Sequence, residues 1–463
     1  MSAAIAAAPA LPRFALPPEP YPGLRPFGRQ EHRIFFGREE MIDTIIDSLA
    51  RNNLIVVHGA SGSGKSSIVR AGVLPWLELQ QSRRGGWRTK TLRPAGGPLR
   101  NLAAALAEAL GPAPGASGVD AAASWHTRLA LGSAVLDDIE ARLDGMRGGL
   151  CLLIDQFEEL FRYARETSLE EAKLLTELLC VLTSKRRPAP HLFVVLTMRS
   201  DYLGECARFE GFAETVNTCQ YLLPRLDDFA LLRAVHEPAK LYGGTIDPAV
   251  GDRLLFAMRQ EEDGLPVLQH ALMRACVCAR ARHEFDRGWT VTLADLAWAE
   301  GEHGALSKHA DEVMAELRAR DPAYQTAAEW LFRSLTELDA EGRVIRRPCR
   351  LAELVAVAGN DRAGVSAVVA AFQAPGRNFL TANPPDRLDD DSEIDVSHEA
   401  LIRRWRQLSD PTRDAEKNEP AGWMWREFED GQRWRALAVQ ARVFRNDRSK
   451  SCLLYTSPSP RDS

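Results

Sequence analysis

The residues LIVVHG (54–59) and the overlapping GASGSGKS (59–66) constrain the fold of this chain more than any other segment. An unbroken apolar run that ends at a glycine-rich turn predicts a strand of a parallel sheet with both faces buried. The turn matches G-x-x-x-x-G-K-S, in which backbone N–H groups point at phosphate oxygens, the lysine reaches the β- and γ-phosphates and the serine ligates Mg²⁺. We therefore predict a nucleoside triphosphate site at Gly59, Ser61, Gly62, Ser63, Gly64, Lys65, Ser66 and Ser67.

A second apolar run, CLLI (151–154), ends at an aspartate. Asp155 stands where P-loop enzymes carry the carboxylate that holds Mg²⁺, so Ser66 and Asp155 are the predicted metal-binding residues. Glu158 and Glu159 follow within one helical turn, and either can orient an attacking water as general base. Carboxylates are also favoured at a helix start for reasons of charge alone. We take Glu158 as the first candidate for the base and Glu159 as the second.

The segment LTMR (196–199) ends a third apolar run with an arginine. Arg199 can reach a γ-phosphate and so distinguish a triphosphate from a diphosphate. An arginine at a strand end is also commonly an ordinary surface residue. The residues of this segment alone leave both interpretations open.

The pattern along the chain predicts an α/β P-loop NTPase domain over residues 21–226, with a mostly parallel sheet and helices on both faces. Helical periodicity then dominates residues 227–320. Helices followed by NFLTANPPDRLDDDSEIDVSH (378–398), which is typical of a β-hairpin with an acidic tip, predict a winged-helix domain over residues 321–410. The pattern of residues 411–451 predicts a helical bridge that connects the winged-helix domain to a further C-terminal region.

Composition limits the class of protein. The 463 residues contain 45% hydrophobic and 26% charged residues with a net charge of −5, which gives no general attraction to nucleic acid or anionic membrane. No apolar run approaches the length of a membrane span. The eight cysteines contain no C-x-x-C pair and indicate reduced core residues. We expect a cytoplasmic protein with a disordered leader at residues 1–20.

The last residues do not continue the pattern of the preceding chain. CLLYTSPSPRD (452–462) can be back-translated into DNA that resembles a transposase adaptor of sequencing libraries. We therefore expect residues 452–463 to be an artefact and exclude them from the fold. The natural protein is expected to continue beyond Ser451, and its sensor or effector modules to lie there or on another chain.

Seven motifs in this order resemble the novel STAND NTPase family of signal-transduction ATPases, which is related to NB-ARC and NACHT switches. The resemblance covers about residues 21 to 408, and the motifs are YPGLRPF, FFGREE, GASGSGKSS, LLIDQFEELF, LTMRSDYLG, GLPVLQHAL and VSHEALIRRW. The resemblance implies that Phe36, Gly37 and Arg38 line the adenine pocket and that Arg199 senses the γ-phosphate. It also implies that Pro266 belongs to a helical lid near the base and ribose.

The resemblance further implies a role for His398, which by itself is more typical of an ordinary structural histidine. Ser397-His398-Glu399 falls where related switches carry Met-His-Asp, whose histidine contacts the β-phosphate of ADP. The implied function is an ATP/ADP switch that hydrolyses ATP slowly with Mg²⁺, opens on a stimulus and then oligomerises. Serine in place of methionine, and Gln156 where many ATPases carry the catalytic glutamate, bear on the rate of hydrolysis more than on binding.

Three alternatives stay open at this point. One is a winged-helix regulator that binds nucleic acid, because RVIRRPCR (343–350) holds four arginines, although the acidic hairpin tip from Asp386 to Glu393 would repel a duplex. Another is a constitutive P-loop ATPase whose purpose is turnover. The third is a nucleotide-binding scaffold that does not hydrolyse.

Overall fold

In the computed structural model of the protein, the described residues are 15–79, 87–116, 120–144, 148–184, 190–259, 264–283, 288–301, 303–338, 344–383, 387–414 and 419–447. The first fourteen residues of the predicted leader, Asp386 of the predicted hairpin tip and the predicted artefact at 452–463 lie outside them. The chain divides into two compact units. The first contains residues 1–22 and 26–296, and the second contains residues 23–25 and 297–463.

The first unit is built on one five-stranded sheet. Its strands are β1 (Leu54–Gly59), β2 (Arg88–Leu92), β3 (Leu150–Ile154), β4 (Leu192–Arg199) and β5 (Gln220–Leu222). They lie in the order β2-β3-β4-β1-β5, and every neighbouring pair is parallel. The parallel α/β core predicted from the buried apolar runs is therefore confirmed.

Helices cover both faces of this sheet. They are α1 (Glu39–Asn52), α2 (α-helical Lys65–Ser67 and Leu74–Leu79 on either side of a π-helical turn, Ile68–Val73), α3 (Pro98–Leu110), α4 (Ala121–Leu129), α5 (Val135–Leu143), α6 (Glu159–Glu166), α7 (Leu169–Leu182) and α8 (Phe212–Cys219). Successive strand residues point to opposite faces and enter two separate apolar cores. Leu54 and Val56 pack with α3 to α8, whereas Ile55 and Val57 pack with α1 and α2.

The strand register determines which residues meet at the carboxyl edge of the sheet. Gly59 lies opposite Arg199 in the β1–β4 pair, and Ile154 lies opposite Leu196 in the β3–β4 pair. Parallel strands end on the same edge, so the residues that follow β1 and β3 and those that end β4 come together there. This is the edge at which open α/β sheets bind ligands.

The remainder of the first unit is mainly helical. Its helices are α9 (Asp228–Leu241), α10 (Pro248–Arg259), α11 (Gly264–Arg282) and α12 (Leu293–Glu300). Two short strands that the sequence did not predict, β6 (Thr245–Ile246) and β7 (Thr290–Val291), pair in parallel among these helices. The boundary between the two units falls within α12, so the predicted helical segment 227–320 is shared between them.

The end of the predicted leader is packed on the helical part of the first unit. The hydroxyl of Tyr242 donates a hydrogen bond to the carbonyl of Pro17 at 2.5 Å, and the hydroxyl of Tyr21 donates to the carbonyl of Val235. Ordered contacts therefore begin before residue 21, within the segment predicted as a disordered leader. Two tyrosine hydroxyls that satisfy backbone carbonyls account for this difference.

The second unit contains helices, a small hairpin and a three-stranded sheet. Its elements are α13 (Ala305–Arg320), α14 (Ala323–Ser334), β8 (Thr336–Leu338), β9 (Val344–Arg346), β10 (Cys349–Arg350), α15 (Leu351–Val357), α16 (Arg362–Gln373), β11 (Leu380–Asn383), β12 (Glu393–Val396), α17 (Glu399–Arg404), α18 (Arg406–Ser409) and α19 (Trp423–Asp447). Strands β8 and β9 are antiparallel, and β10, β12 and β11 form an antiparallel sheet in that order.

An aromatic cluster forms the core of the second unit. Trp405, fully buried, packs edge-on against Phe332 at 4.9 Å between ring centroids and against Trp423 at 5.5 Å. These contacts join α14, the end of α17 and the start of α19 in one core, since aromatic pairs at these separations stabilise beyond their buried area. None of the helices in the described ranges is both long and apolar enough to cross a membrane.

Candidate nucleotide-binding site

The glycine-rich loop follows β1 directly and leads into α2. Gly64 has a φ of +92°, which L-residues rarely adopt, while a Cβ built on it would meet no atom within 4 Å. Backbone conformation, and not lack of space, therefore requires glycine there. The ammonium of Lys65 donates to the carbonyls of Gly59 at 3.0 Å and Ala60 at 2.6 Å, which holds it above the loop. Burial lowers the pKa of Lys65, and the positive charge of Arg199 adds to this effect, while nearby carboxylates oppose it.

Asp155 is buried at the end of β3, with 1% of its side chain exposed. Its Oδ1 accepts hydrogen bonds from the hydroxyl of Ser66 at 2.7 Å and from the hydroxyl of Thr197, and its Oδ2 accepts one from the guanidinium of Arg70 at 2.6 Å. Burial would raise the pKa of Asp155, but Arg70, Arg93 and the two hydroxyl donors outweigh it, so the pKa lies below its usual value. The carboxylate is thus ionised although it is buried.

These residues fit a magnesium ion. Mg²⁺ prefers oxygen ligands and usually takes one or two protein carboxylates or hydroxyls together with substrate phosphates. The Ser66 hydroxyl donates its proton to Asp155, which leaves the oxygen lone pairs of Ser66 available to a cation. Ser66 and Asp155 are the residues that would hold the ion, whose chemistry would be to neutralise charge on the phosphates.

Glu158 approaches the loop from the turn after β3. Its Oε2 accepts the backbone N–H of Arg199 at 3.4 Å. Burial raises the pKa of Glu158; the positive charges of Lys65 and Arg199 act in the opposite direction. Glu159 is the first residue of α6 and is half-buried. The guanidinium of Arg199 donates to Asp201 at 2.7 Å, so the end of β4 carries a paired cation beside Glu158.

The turn after Asp155 has an unusual backbone. Gln156 has a φ of +57°, in the left-handed region that non-glycine residues rarely occupy. Its N–H donates to the hydroxyl of Thr197 at 3.0 Å, and the N–H of Phe157 donates to the carbonyl of Thr197 at 2.8 Å. These bonds from β4 hold the strained turn and aim Glu158 toward the loop.

The FFGREE segment is tied to the glycine-rich loop by a buried arginine. The Arg38 guanidinium donates to the carbonyl of Ser63 at 2.9 Å and to the carbonyl of Pro224, after β5, at 2.6 Å. Burial lowers the pKa of Arg38 to about 10. Gly37 has a φ of +87°, and a Cβ on it would overlap the carbonyl oxygen of Ala230 in α9. Phe36 is half-buried beside them.

Two further predicted residues belong to other elements of the fold. Pro266 is in the first turn of α11 in the first unit. His398 belongs to the second unit, where its Nδ1 accepts the backbone N–H of Ala400 at 3.0 Å and so caps α17. A side-chain acceptor at that position satisfies one of the unpaired N–H groups of a helix start.

Sequence reasoning missed two residues of the site, Arg70 and Thr197. Arg70 interrupts the apolar run IVRAGV in α2 one helical turn after Ser66, and this interruption is the signal that could have revealed it. Thr197 lies in LTMR, two residues before Arg199, in an otherwise apolar strand. A polar side chain in a fully buried strand needs a hydrogen-bond partner, and Asp155 is that partner.

Two solved structures are similar to this chain over about four-fifths of its length. The Orc1 protein of Aeropyrum pernix, solved in complex with DNA, is 16% identical over 81% of this chain and 93% of its own, with a TM-score of 0.42. The Walker-type ATPase PABY2304 of Pyrococcus abyssi is 15% identical over 83% of this chain and 99% of its own, with a TM-score of 0.39.

No curated protein matches the chain. The family model described as Novel STAND NTPase 1 matches residues 20–437, which includes the glycine-rich loop, Asp155, Arg199 and His398. The match extends over most of the chain, and the resemblance predicted from the seven motifs is confirmed: this protein belongs to the novel STAND NTPase family.

Proposed function

We propose that this protein is an ATP/ADP-dependent signalling switch that binds ATP with Mg²⁺, hydrolyses it slowly and adopts different domain arrangements with the two nucleotides. The observation that carries the proposal is the convergence of Lys65, Ser66, Asp155, Glu158 and Arg199 at one edge of the parallel sheet. They supply a cation for the phosphates, two metal-binding groups, a base and a second cation. Phosphoryl transfer to water commonly uses groups of these kinds.

The hydrogen bonds of the two cations support slow turnover. Lys65 would exchange its bonds to Gly59 and Ala60 for a phosphate, and Arg199 would exchange Asp201 for a γ-phosphate. Each exchange is a conformational step before the chemistry, and such steps limit the turnover of many enzymes. A regulatory ATPase needs a long-lived triphosphate state more than it needs rapid turnover.

Glu158 is the better candidate for the general base. It accepts a backbone bond from the end of β4 and is electrostatically coupled to Lys65, Asp155 and Arg199. A base works best when its pKa lies closer to the operating pH than that of a free carboxylate, and burial raises the pKa of Glu158 in that direction. Glu159 begins α6 and stays the second candidate.

We infer that the second unit includes a winged-helix domain and that the helices of residues 227–320 act as a lid. In support, α14, β10, α15, α16, β11 and β12 occur in winged-helix order, with the β8–β9 hairpin between α14 and β10 and with β10 paired to β12. His398 follows β12 at the start of α17. In the proposed closed form the N–H of its second ring nitrogen would donate a hydrogen bond to a β-phosphate oxygen of ADP while Nδ1 caps the helix.

The energy of that contact limits what it can do alone. A hydrogen bond to a charged group contributes roughly 1.5–3 kcal/mol. Moving a two-state population from 1:99 to 99:1 takes about 5.5 kcal/mol of differential binding. Packing between domains would supply the rest. In the proposed cycle, ATP opens the protein, the open form oligomerises, and partner modules on this chain or another read that state.

The test measures the nucleotide that remains bound through purification. The protein is expressed, purified and denatured, and the released nucleotides are separated by chromatography. Near-stoichiometric ADP in the wild type is the expected result. His398→Ala removes both the helix cap and the proposed phosphate contact, and it should lose most of the ADP.

His398→Asn is the matched control. Asparagine is among the best helix-capping residues, so this variant keeps the cap of α17 but loses the imidazole. If His398 contacts ADP, both variants lose the nucleotide. If His398→Asn retains ADP as the wild type does, the histidine only caps the helix. A protein that purifies empty and turns ATP over rapidly, with both variants unaffected, would instead be a constitutive ATPase.

The charges of the second unit do not favour the nucleic-acid alternative. Four arginines near the three-stranded sheet pair with acidic residues of the same unit, as Arg346–Asp395, Arg350–Asp391, Arg362–Asp390 and Arg387–Asp389. Cations that are already neutralised release few counterions on binding to phosphate. We therefore do not assign a nucleic-acid partner.

A further inference from the structure

The ion pair between Arg70 and Asp155 lies beside the residues assigned to the phosphates and the metal. The Arg70 guanidinium donates to Oδ2 of Asp155 at 2.6 Å, while the hydroxyls of Ser66 and Thr197 donate to Oδ1. The side chain of Asp155 is 1% exposed and that of Arg70 is 28% exposed. The two oxygens of a carboxylate offer about four acceptor positions, so these three donors leave little of Asp155 available to a further cation.

The geometry of α2 brings Arg70 to this position. Ser66 and Arg70 are four residues apart on the same helix, and each reaches a different oxygen of Asp155. Arg70 lies within the π-helical turn Ile68–Val73, in which the N–H of Leu74 donates to the carbonyl of Val69, five residues earlier. Such π-helical turns are rare and occur frequently at functional sites.

The ion pair gives the buried carboxylate a permanent counter-charge. A buried carboxylate with no cation beside it is strongly unfavourable. Arg70 supplies that cation from within the chain, so the arrangement of Asp155, Ser66 and Thr197 does not depend on a metal ion for its stability. Two cations on one carboxylate repel each other, so any metal bound there does so against the charge of Arg70.

We propose that Arg70 is a positioning residue that shares the carboxylate of Asp155 with Mg²⁺ and thereby makes the binding of ADP nearly independent of Mg²⁺. The inference rests on the proposed function, because it assumes that the diphosphate binds on the glycine-rich loop. It adds to that function a regulatory property: the ADP-bound state persists when Mg²⁺ leaves. The additional negative charge of a γ-phosphate would favour Mg²⁺ at Ser66 and Asp155 when ATP is bound.

The experiment compares the wild type with Arg70→Gln in two measurements. The first is the affinity for a fluorescent ADP with Mg²⁺ and with EDTA. We expect the affinity of the wild type to change less than about threefold, and that of Arg70→Gln to fall at least about tenfold in EDTA, because the variant has lost its internal cation. The second is thermal unfolding against Mg²⁺ alone. Mg²⁺ should raise the Tm of Arg70→Gln by about 3 °C or more and that of the wild type by less than about 1 °C.

Two further variants separate the proposal from a general loss of stability. Arg165→Gln removes an arginine from a surface pair with Glu205 in the same unit, and it should behave as the wild type in both measurements. Arg70→Lys keeps the positive charge and provides a second test if Arg70→Gln does not fold. It should retain ADP binding that is nearly independent of Mg²⁺.

The two measurements distinguish the proposed role of Arg70 from that of a structural ion pair. Equal dependence on Mg²⁺ in the wild type and Arg70→Gln, or a loss of metal-independent binding in Arg70→Lys equal to that in Arg70→Gln, would overturn the proposal and leave Arg70 as a structural ion pair. If the wild type binds no ADP under either condition, the proposed function fails. The titration with Mg²⁺ alone still decides whether Arg70 and the metal compete for Asp155.

Discussion

Replacement of Asp155 by asparagine tests the electrostatics of the site most directly. The two side chains have the same shape, so the change removes one charge and little volume. The bonds from Ser66 and Thr197 to Oδ1 can persist on the amide oxygen. The amide nitrogen that replaces Oδ2 cannot accept from Arg70, so two donors would face each other.

The magnitude follows from these contacts. A charge-assisted bond contributes roughly 1.5–3 kcal/mol, and loss of one partner of a buried ion pair costs about 3–5 kcal/mol. Arg70 is 28% exposed and can turn partly into water, which lowers the cost. We expect the free energy of unfolding of the first unit to fall by about 2–3 kcal/mol at pH 7. At about 2 °C per kcal/mol for a unit of this size, its Tm falls by roughly 4–6 °C.

The dependence of the free energy of unfolding on pH tests the role of the Asp155 charge independently. The pKa of Asp155 is lower in the folded protein than the ordinary value of 3.8. Its contribution to stability is therefore present above the unfolded pKa and is lost as the pH falls from about 4 through the lower folded pKa. Asparagine does not titrate, so the variant should lose that part of the acid dependence.

The assay is thermal unfolding followed by circular dichroism between pH 7 and pH 3. Asp228→Asn is the control, because Asp228 forms a surface pair with Arg259 and is 55% exposed. It should change stability by less than about 1 kcal/mol. A variant at Asp155 as stable as the wild type at pH 7, with the same loss of stability in acid, would refute the reasoning from the buried ion pair.

Three other predictions concern the general base, Gly37 and the contact between α14 and α19. Glu158→Gln should slow ATP hydrolysis by about 10²-fold or more and abolish the acidic limb of the pH–rate profile. In the wild type the pKa of that limb should lie above the pKa of a free carboxylate, because burial raises the pKa of Glu158. Glu159→Gln should leave the rate and the limb unchanged, and single-turnover kinetics across pH decide between the two residues. Gly37→Ala should lower the free energy of unfolding by more than about 1 kcal/mol, because the left-handed backbone disfavours a Cβ and a carbonyl of α9 would overlap it. Gly431→Ala is the control, because a Cβ at that position meets open space and should cause no such loss. Thermal unfolding measures both variants. Arg333→Ala removes a largely buried guanidinium that pairs with acids of α19, and urea titration should reveal a loss of about 2–4 kcal/mol from the second unit, unless the α14–α19 contact contributes nothing.

The sequence predicts most directly the residues of the site that lie close together in the chain. The glycine-rich loop, Lys65 and Ser66 lie within eight residues, and their geometry is a property of one strand, one turn and one helix start. Asp155 and Arg199 could be placed because each ends an apolar run, and parallel strands end on a common edge. The resemblance implies that Arg38 lines the adenine pocket, and this stays a prediction. Only the tertiary structure shows that its guanidinium donates to the carbonyls of Ser63 and Pro224.

The sequence by itself determined the class of fold and the nucleotide loop, because hydrophobic runs and glycine spacing act locally. Only the tertiary structure decided what surrounds Asp155. Thr197 is 42 residues from it in the chain and Arg70 is 85 residues away, and neither spacing carries a pattern. Their meeting depends on the register of β3 against β4 and on the π-helical turn of α2. A carboxylate buried at that junction must be neutralised by whichever donors the packing brings there, and packing is a property of the whole fold.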